Sequence, residues 1–467
     1  MKGGMQKIST SIDNYLENDR AEPDSYQGVQ TFIGITENNL MEVRLGELDL
    51  LEQILSSSNL NLAYKRVKSN KGSHGIDKMS TDKMLEWLLV HKESLLSSLA
   101  IGTYKPQGVR RVEIPKEGGK VRLLGIPTVI DRLIQQSIAQ VLSGIYERDF
   151  HASSHGFRPQ KGCHTALKEA KRHLNAEYHH VVDLDLEKFF DTVSHSRLIE
   201  LLSKRVKDSR VISLIHKYLN SGVVVNGKLE QCTQGVPQGG PLSPFLSNIM
   251  LHELDMELER RGHRFVRYAD DCLIFCKSKR ACKRVKESIT LFIETVLYLK
   301  VNKEKTTIGY AQGKKFLGYS FYVGKDKQWE LCVHAKSYSK LKDKLRVITK
   351  RSNGQGYDRL KVTLKMFVKG WISYFKLAKM SGKIKRIDKW LRSRIRVFIW
   401  KNWKSKGLRY TNLKKIGIKA NQAYQWANTR KGYCRIALSP VLKTSLNIQI
   451  LRKAGYTFLN DIYLKVS

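Results

Sequence analysis

Two adjacent carboxylates, Asp270 and Asp271, lie in the stretch Arg267-Tyr268-Ala269-Asp270-Asp271-Cys272, flanked by the apolar runs Phe265-Val266 and Leu273-Ile274-Phe275. The pattern predicts strand, tight turn and strand, with the Asp pair near the hairpin tip. Neighbouring acids repel one another, so a fold that aims both at one site needs a cation there. Taken alone, Asp-Asp at a turn is also ordinary solvated turn chemistry. A second acidic stretch, Val181-Val182-Asp183-Leu184-Asp185-Leu186, reads as a strand with Asp183 and Asp185 on one side. Val182, Leu184 and Leu186 then face the other side. Strands disfavour Asp, so acids in so apolar a run point to a cation that meets them; an edge strand with one wet face is the alternative.

Asp185, Asp270 and Asp271 in two separate β elements suit two-metal phosphoryl transfer. Carboxylates would clamp two Mg²⁺ about 3.5–4 Å apart, one activating a hydroxyl and the other steadying the leaving pyrophosphate. No cysteine or histidine cluster competes, and oxygen ligands are those that Mg²⁺ prefers. Two further segments fit this chemistry. Gln234-Gly235-Val236-Pro237-Gln238-Gly239-Gly240-Pro241 combines glycines that let backbone approach closely with prolines that stiffen the loop. Residues 109–127 predict a hairpin with Gly118-Gly119 at its tip, whose flanks gather Arg111, Lys116, Lys120 and Arg122. Such a ribbon could cradle a triphosphate or be simply an exposed basic hairpin. No GxxxxGK[ST] loop occurs to do that work instead.

The elements that must position these residues are mixed. Helical periodicity appears over residues 48–67, 82–99, 131–146, 163–174, 197–206, 211–219, 246–258 and 283–297, and Phe316-Leu317-Gly318-Tyr319 reads as a strand. Beyond residue 333 two amphipathic helices are expected. One carries Leu360, Leu364, Phe367, Trp371 and Tyr374/Phe375, with Lys361, Lys365, Lys369 and Lys376 largely elsewhere. The other carries Ile384, Ile387, Leu391, Ile395 and Phe398, opposed by Lys385, Lys389, Arg392 and Arg396. The aromatic stripe reads as core and the cationic faces as a nucleic-acid surface.

Composition bounds the rest. The 467 residues are 41% hydrophobic and carry a net charge of +40, a globular chain whose leading partner is a polyanion. Residues 1–49 hold 4 basic and 9 acidic side chains, residues 50–332 hold 45 and 30, and residues 333–467 hold 34 and only 4. Self-repulsion of that order is best relieved by a phosphate backbone. Seven cysteines without a CxxC pair read as reduced thiols. No run of 18 apolar residues suggests a membrane span, and the N-terminus has no apolar signal core, so a cytoplasmic protein without membrane partners is expected.

From about Leu51 to the low 400s the sequence resembles the bacterial group II intron reverse transcriptases, or intron maturases. The similarity rests on the 182–191 block, Pro237-Gln238-Gly239-Gly240 with Leu242-Ser243-Pro244, and Arg267-Tyr268-Ala269-Asp270-Asp271. It continues through Val301-Asn302-x-x-Lys305-Thr306, Phe316-Leu317-Gly318-Tyr319 and Gly370-Trp371-Ile372-Ser373-Tyr374-Phe375. The pattern looks most like the compact class lacking an endonuclease.

The resemblance implies an α+β right-hand polymerase, with fingers and an antiparallel palm sheet over residues 50–332. A helical thumb and maturase segment would occupy 333–400 and a small basic nucleic-acid-binding region 401–467, after an acidic extension at 1–49. It implies RNA-directed DNA polymerase activity with two Mg²⁺ held by Asp185, Asp270, Asp271 and the Leu186 carbonyl. Phe190 would exclude a ribose 2′-hydroxyl, Gln238 would line the nucleotide pocket, and Lys116 and Arg122 would hold the triphosphate. Gly239, Gly240 and Lys305 would meet template and primer, and Lys365, Lys369, Arg392 and Arg396 intron RNA. Expected partners are intron RNA, an RNA template, a DNA primer or target, and dNTPs, in a bacterial ribonucleoprotein; a C-terminal HNH nuclease is not expected. Two rival readings are a domesticated reverse transcriptase in phage defence or repair, and a splicing chaperone with a vestigial polymerase site.

Overall fold

The computed structural model describes residues 49–466 apart from 116–118, 120 and 353. Lys116, Lys120, Gly118 and the acidic segment 1–48 therefore lie outside the described residues. The chain divides into two compact units, at residues 1–311 and 312–467, ahead of the composition shift at 333. The reason is strand pairing: the strands after 312 bond with one another and with no strand of the first unit.

In the first unit β1 (Val109–Pro115) and β2 (Val121–Ile126) form the expected hairpin. β1 also pairs in parallel with β4 (Val223–Val225), which turns back into β5 (Lys228–Glu230). That second hairpin closes on Asn226-Gly227, both at positive φ, the favoured chemistry for a two-residue turn.

The sheet that carries the acidic residues is antiparallel in the order β6-β7-β3-β8, from β3 (His180–Leu184), β6 (Arg264–Tyr268), β7 (Asp271–Cys276) and β8 (Thr307–Tyr310). Side chains alternate across it. Val182, Leu184, Phe265, Cys272 and Ile274 join one large core with helices Val129–Tyr146, Ser243–Arg260 and Lys279–Thr295. On the opposite face Val181, Val266, Leu273 and Phe275 are buried, and Phe275 meets His173 of helix Cys163–Asn175 ring to ring at 5.2 Å. The sheet is thus covered on both sides, leaving its strand ends for chemistry. Helix Val129–Tyr146 starts two residues before its apolar pattern, because the Thr128 hydroxyl accepts the Asp131 N–H at 3.1 Å and satisfies a free amide there.

In the second unit β9 (Lys315–Phe316), β10 (Tyr319–Val323) and β11 (Trp329–Val333) form a three-stranded sheet. Phe316–Tyr319 is therefore a turn and not one strand: Phe316 pairs with Tyr319, and Leu317 and Gly318 between them both have positive φ. Tyr319 and Tyr374 tie this turn to the end of helix Tyr357–Tyr374. The Tyr319 hydroxyl donates to the Tyr374 carbonyl, and the Tyr374 hydroxyl donates to the Leu317 carbonyl at 3.0 Å.

That helix buries Leu360, Leu364, Val368 and Ile372. Phe367 and Trp371 stand at its half-buried margin, where the Trp371 ring packs 4.6 Å from Phe375. The true stripe follows an unbroken four-residue spacing, so the aromatic positions rotate off the core. Helix Ser381–Asn402 buries the expected Ile384, Ile387, Leu391, Ile395 and Phe398. It also buries Arg396, whose Nε donates to the Leu446 carbonyl at 3.0 Å. Arg396 is therefore no part of a solvent-facing cationic surface: helices Tyr433–Leu438 and Leu459–Val466 also pack on this helix, so more than one of its sides is covered.

Deleting a core side chain beneath the sheet that carries the acidic residues should cost its transfer energy plus that of a cavity. Ile274→Ala is expected to lower unfolding stability by about 2–5 kcal/mol in urea titration, whereas Leu89→Ser, at an exposed position, should change it by less than about 0.5 kcal/mol.

Candidate active site

β6 and β7 pair up to Tyr268 opposite Asp271, so Ala269 and Asp270 alone form the connecting turn. A two-residue turn needs positive φ to match strand twist. Ala269 supplies it at φ +55, a left-handed conformation that costs a residue with a Cβ about 1–2 kcal/mol. Neighbouring groups must therefore hold this turn.

They do so through Arg267, a side chain with no solvent exposure. Its Nε donates to Asp255 Oδ1 at 2.7 Å and its Nη2 pairs with Asp255 Oδ2 and with Ser154 Oγ at 2.8 Å. Its Nη1 donates to Asn248 Oδ1 and to the Ala269 carbonyl, both at 3.0 Å. The Asn248 amide in turn donates to the Gly156 carbonyl at 2.8 Å. Gly156 lies directly under the turn: a Cβ there would sit 2.3 Å from the Ala269 nitrogen. Backbone bonds from His155 N–H to the Arg267 carbonyl (2.8 Å) and from Arg267 N–H to the Ser153 carbonyl (2.9 Å) complete the clamp.

The ladder between β3 and β7 ends at Leu184 opposite Cys272. The next residues outward are Asp185, just past β3, and Asp271, the first residue of β7, at the same end of the sheet. Facing Cα atoms in an antiparallel pair lie about 4.5–5.5 Å apart, close enough for carboxylates to share a cation. Asp185 itself is just past the strand and is held by a distant segment. Its N–H donates to Thr306 Oγ1 at 3.1 Å and its carbonyl accepts the Asn302 N–H at 2.8 Å. Leu186 bridges to Val301, with the flanking bonds made by Asn302 and Glu187; that bridge does not use the Leu186 carbonyl. Lys305 Nζ stands 3.2 and 3.5 Å from the two Asp185 oxygens, showing that a cation fits there.

The donors at this strand end are all oxygens. Among the described residues no group of three His, Cys, Asp or Glu side chains forms a ready-made metal cage. Mg²⁺ rarely uses one, since it keeps several waters and binds through one or two carboxylates plus substrate phosphates. The donor set fits that ion. Cys272 is buried in the core beneath the sheet, and burial and then Asp255 push its thiol above the ordinary pKa.

The Gln234–Pro241 loop is bonded to both sides of this site. The Gln238 carbonyl accepts the Gly125 N–H of β2 at 2.7 Å, and Val236 N–H donates to the Phe190 carbonyl at 2.6 Å. Gly239, at φ +124, and Gly240 are placed against protein: a Cβ would come 2.8 Å from the Gly125 oxygen or 2.2 Å from Gln135 Oε1. Phe190 is half-buried, in edge contact with Phe189 at 5.1 Å. Arg122 is exposed on β2 opposite Ile114. In the second unit Lys365 and Lys369 are exposed and Arg392 half-buried.

Sequence reading passed over Arg267, Asp255, Asn248 and Gly156. A signal was present: period-two alternation puts Arg267 on the same face as Phe265, and Asn248 and Asp255 fall seven apart on a helix's apolar stripe. A charge in each of two core faces is the signature of a buried pair.

Residues 114–321 match the family model described as reverse transcriptase (RNA-dependent DNA polymerase), and residues 338–417 match the group II intron maturase-specific domain. Group II intron-encoded protein LtrA of Lactococcus lactis subsp. cremoris is 35% identical over 330 residues, covering 56% of this chain and 54% of that protein. Protein YkfC of Escherichia coli (strain K12) is 32% identical over 325 residues, covering 61% and 85%. A chain of the solved partial Cas6-RT-Cas1--Cas2 complex is 25% identical, covers 53% of this chain and 43% of its own, and has a TM-score of 0.35. The chain spans about half the length of the Lactococcus relative.

The loop that floors the Asp turn has a pH-dependent brace. Glu169 accepts from Ser153 Oγ at 2.7 Å, meets His155 Nε2 at 2.8 Å and lies 3.5 Å from His173 Nε2. Burial pushes its carboxyl up, but His155, His173 and Ser153 together outweigh burial and hold it well below the usual range. A depressed carboxylate stabilises the fold above its unfolded pKa, and that contribution is lost as pH falls towards the folded one. The stability difference between wild type and Glu169→Gln in urea titrations should be full above about pH 4.5 and shrink steadily below it.

Proposed function

The chain belongs to the group II intron-encoded reverse transcriptase family, and from that premise we propose that it is an RNA-directed DNA polymerase that also grips intron RNA as a maturase. The observation that carries this reading is the meeting of Asp185 with the Asp270–Asp271 turn at one end of the antiparallel sheet. Asp185, Asp270, Asp271 and the Leu186 carbonyl would hold two Mg²⁺. Bound there, the ions would supply activation of a primer 3′-hydroxyl and charge stabilisation of the departing pyrophosphate.

The protein's own residues orient the reactants. Arg122, exposed on β2, would hold the triphosphate, where a guanidinium can fork onto phosphate oxygens, and Lys116 is assigned the same role from its place in the sequence alone. Gln238 lines the nucleotide site from a loop fastened to β2 on one side and to the Phe190 carbonyl on the other. Phe190 fills the space that a ribose 2′-hydroxyl would need, so the deoxynucleotide is selected. Gly239, Gly240 and Lys305 border the path of template and primer. Residues 50–332 act as fingers and palm. Residues 333–400 act as thumb and maturase segment, with Lys365, Lys369 and Arg392 on intron RNA, and residues 401–467 as a basic nucleic-acid-binding region. The working form is a ribonucleoprotein with intron RNA, acting on a DNA primer and dNTPs.

Primer extension on an RNA template with Mg²⁺ and dNTPs tests the reading directly. Asp270→Ala and Asp185→Asn should lower kcat by roughly 100–1,000-fold or more, the loss expected for a single transition-state electrostatic group, with primer–template affinity retained. Phe190→Ala should admit ribonucleotides that the wild type refuses. Wild-type protein that extends nothing yet promotes intron splicing would replace this function with that of an RNA chaperone.

A second measurement concerns the second unit. RNA affinity should fall linearly on a log–log plot against salt, losing about 1,000-fold or more between 50 and 200 mM if six or more phosphates are contacted. Lys365→Ala and Lys369→Ala should each flatten that slope by about one, and Arg396→Ala, a buried change, should leave the slope and lower the thermal midpoint.

A further inference from the structure

We propose that Arg267, fixed by Asp255 and Asn248, is a positioning residue that sets the backbone of the Ala269–Asp270 turn and thereby the aim of the two turn carboxylates. The proposal rests on the metal-dependent site proposed above. Arg267 touches neither substrate nor metal; it acts through the turn.

Three observations carry it. First, the Arg267 guanidinium donates to the carbonyl of Ala269, the residue in left-handed conformation that immediately precedes Asp270. A carbonyl gripped by a charged donor cannot flip its peptide plane without leaving a buried cation short of an acceptor. Second, the guanidinium is fixed in its own plane. Asp255 takes Nε and Nη2, Ser154 shares Nη2, and Asn248 shares Nη1 with Ala269. Five donors in a rigid fork are thus spent on four groups, which a lysine's point charge could not imitate. Third, the turn has a floor. Asn248 holds the Gly156 carbonyl, and Gly156 leaves no space for even a methyl group beneath the Ala269 nitrogen. The turn is gripped from the carbonyl side and blocked from the amide side. Its two carboxylates then hold one geometry before any cation arrives, which removes reorganisation from the reacting state.

Asn248→Ala tests this with least damage, because the Arg267–Asp255 pair survives it. Arg267→Lys is the second variant, read in place of the first if Asn248→Ala does not fold. Leu258→Ala, a core deletion on the same helix, serves as the destabilised control. Three quantities are measured: Mn²⁺ affinity from the paramagnetic resonance of free ion without nucleotide, hydrogen exchange across residues 265–276, and kcat and KM for primer extension. Asn248→Ala should bind Mn²⁺ at least fivefold more weakly, exchange faster across the turn, and lose at least tenfold in kcat with primer–template KM within twofold. Leu258→Ala should lower the thermal midpoint while leaving Mn²⁺ affinity within twofold of wild type. Unchanged Mn²⁺ affinity or unchanged exchange in Asn248→Ala overturns the proposal, as does a Leu258→Ala control that reproduces both effects. Failure of the polymerase reading is seen separately, as wild-type protein that binds Mn²⁺ but extends no primer.

Discussion

A guanidinium sealed from water, two residues before a strained turn, is the constraint on which the rest of the first unit depends. Taking a charge of this size out of water costs several kcal/mol even after relaxation, and removal of a partner leaves a penalty of about 3–5 kcal/mol. Arg267 therefore dictates what surrounds it: an acid on the facing helix, an amide two turns along the same stripe, and two oxygens from Ser154 and Ala269. It also fixes register. A one-residue slip of β6 would turn Arg267 to the opposite face, away from Asp255 and Asn248 and towards the cluster of Val181, Val266, Leu273 and Phe275. Stability alone does not explain such a pair, since well-packed apolar residues often do as well. A specified turn does explain it.

From that anchor the site is assembled across long sequence distances by backbone bonds more than by side chains. Asp185 is held by Asn302 and Thr306, the Gln238 loop by Gly125 and Phe190, and the Asp turn by Ser153 through Gly156. Each of these segments carries small residues that are engaged with the protein itself. Gly239 and Gly240 approach β2 and Gln135 so closely that any side chain would push the loop away. They seat the loop that carries Gln238. The motif is a record of how the loop docks as well as of what it touches.

Which parts were legible in the sequence follows from the range of the forces involved. The helices and the β1–β2 and β6–β7 hairpins are written in local periodicity and turn chemistry, and Asp185, Asp270 and Asp271 stand out because acids are costly in apolar strands. The Val224-Val225-Asn226-Gly227 turn is written just as plainly, in an Asn-Gly pair after a β-branched run. Phe316–Tyr319 misled because four strand-like residues hide a turn whose positive φ at Leu317 is imposed by its neighbours, not by its own preference. The Arg267 network lies further out of reach. It joins residues 154, 156, 248, 255, 267 and 269, and only the pairing of two core-facing charges hints at it. A single helix's pattern says which face is apolar and nothing about how many neighbours cover it.

That last point bears on the second unit, where charge was the main guide. Helix Ser381–Asn402 is covered on more than one side, so Asp388 and Arg396 are both interior, although the amphipathic pattern sends Arg396 to solvent. Asp388 turns its carboxylate to the Leu459 and Asn460 amides at the start of a helix (3.0 and 2.8 Å), while burial pushes its pKa up to about 6. The other three acids beyond residue 333 are committed as well: Asp343 to Arg346, Asp358 to Lys361 and Asp461 to Arg452. Glu330 takes Lys379. Against 34 basic residues in 333–467, these acids neutralise a small minority. Mobile ions or an external polyanion can screen the remaining charge, and releasing condensed ions from the polyanion makes the second course the favourable one. Burial of one arginine removes a contact from that surface without altering this balance, which is why the charge argument for a nucleic-acid partner survives the loss of Arg396.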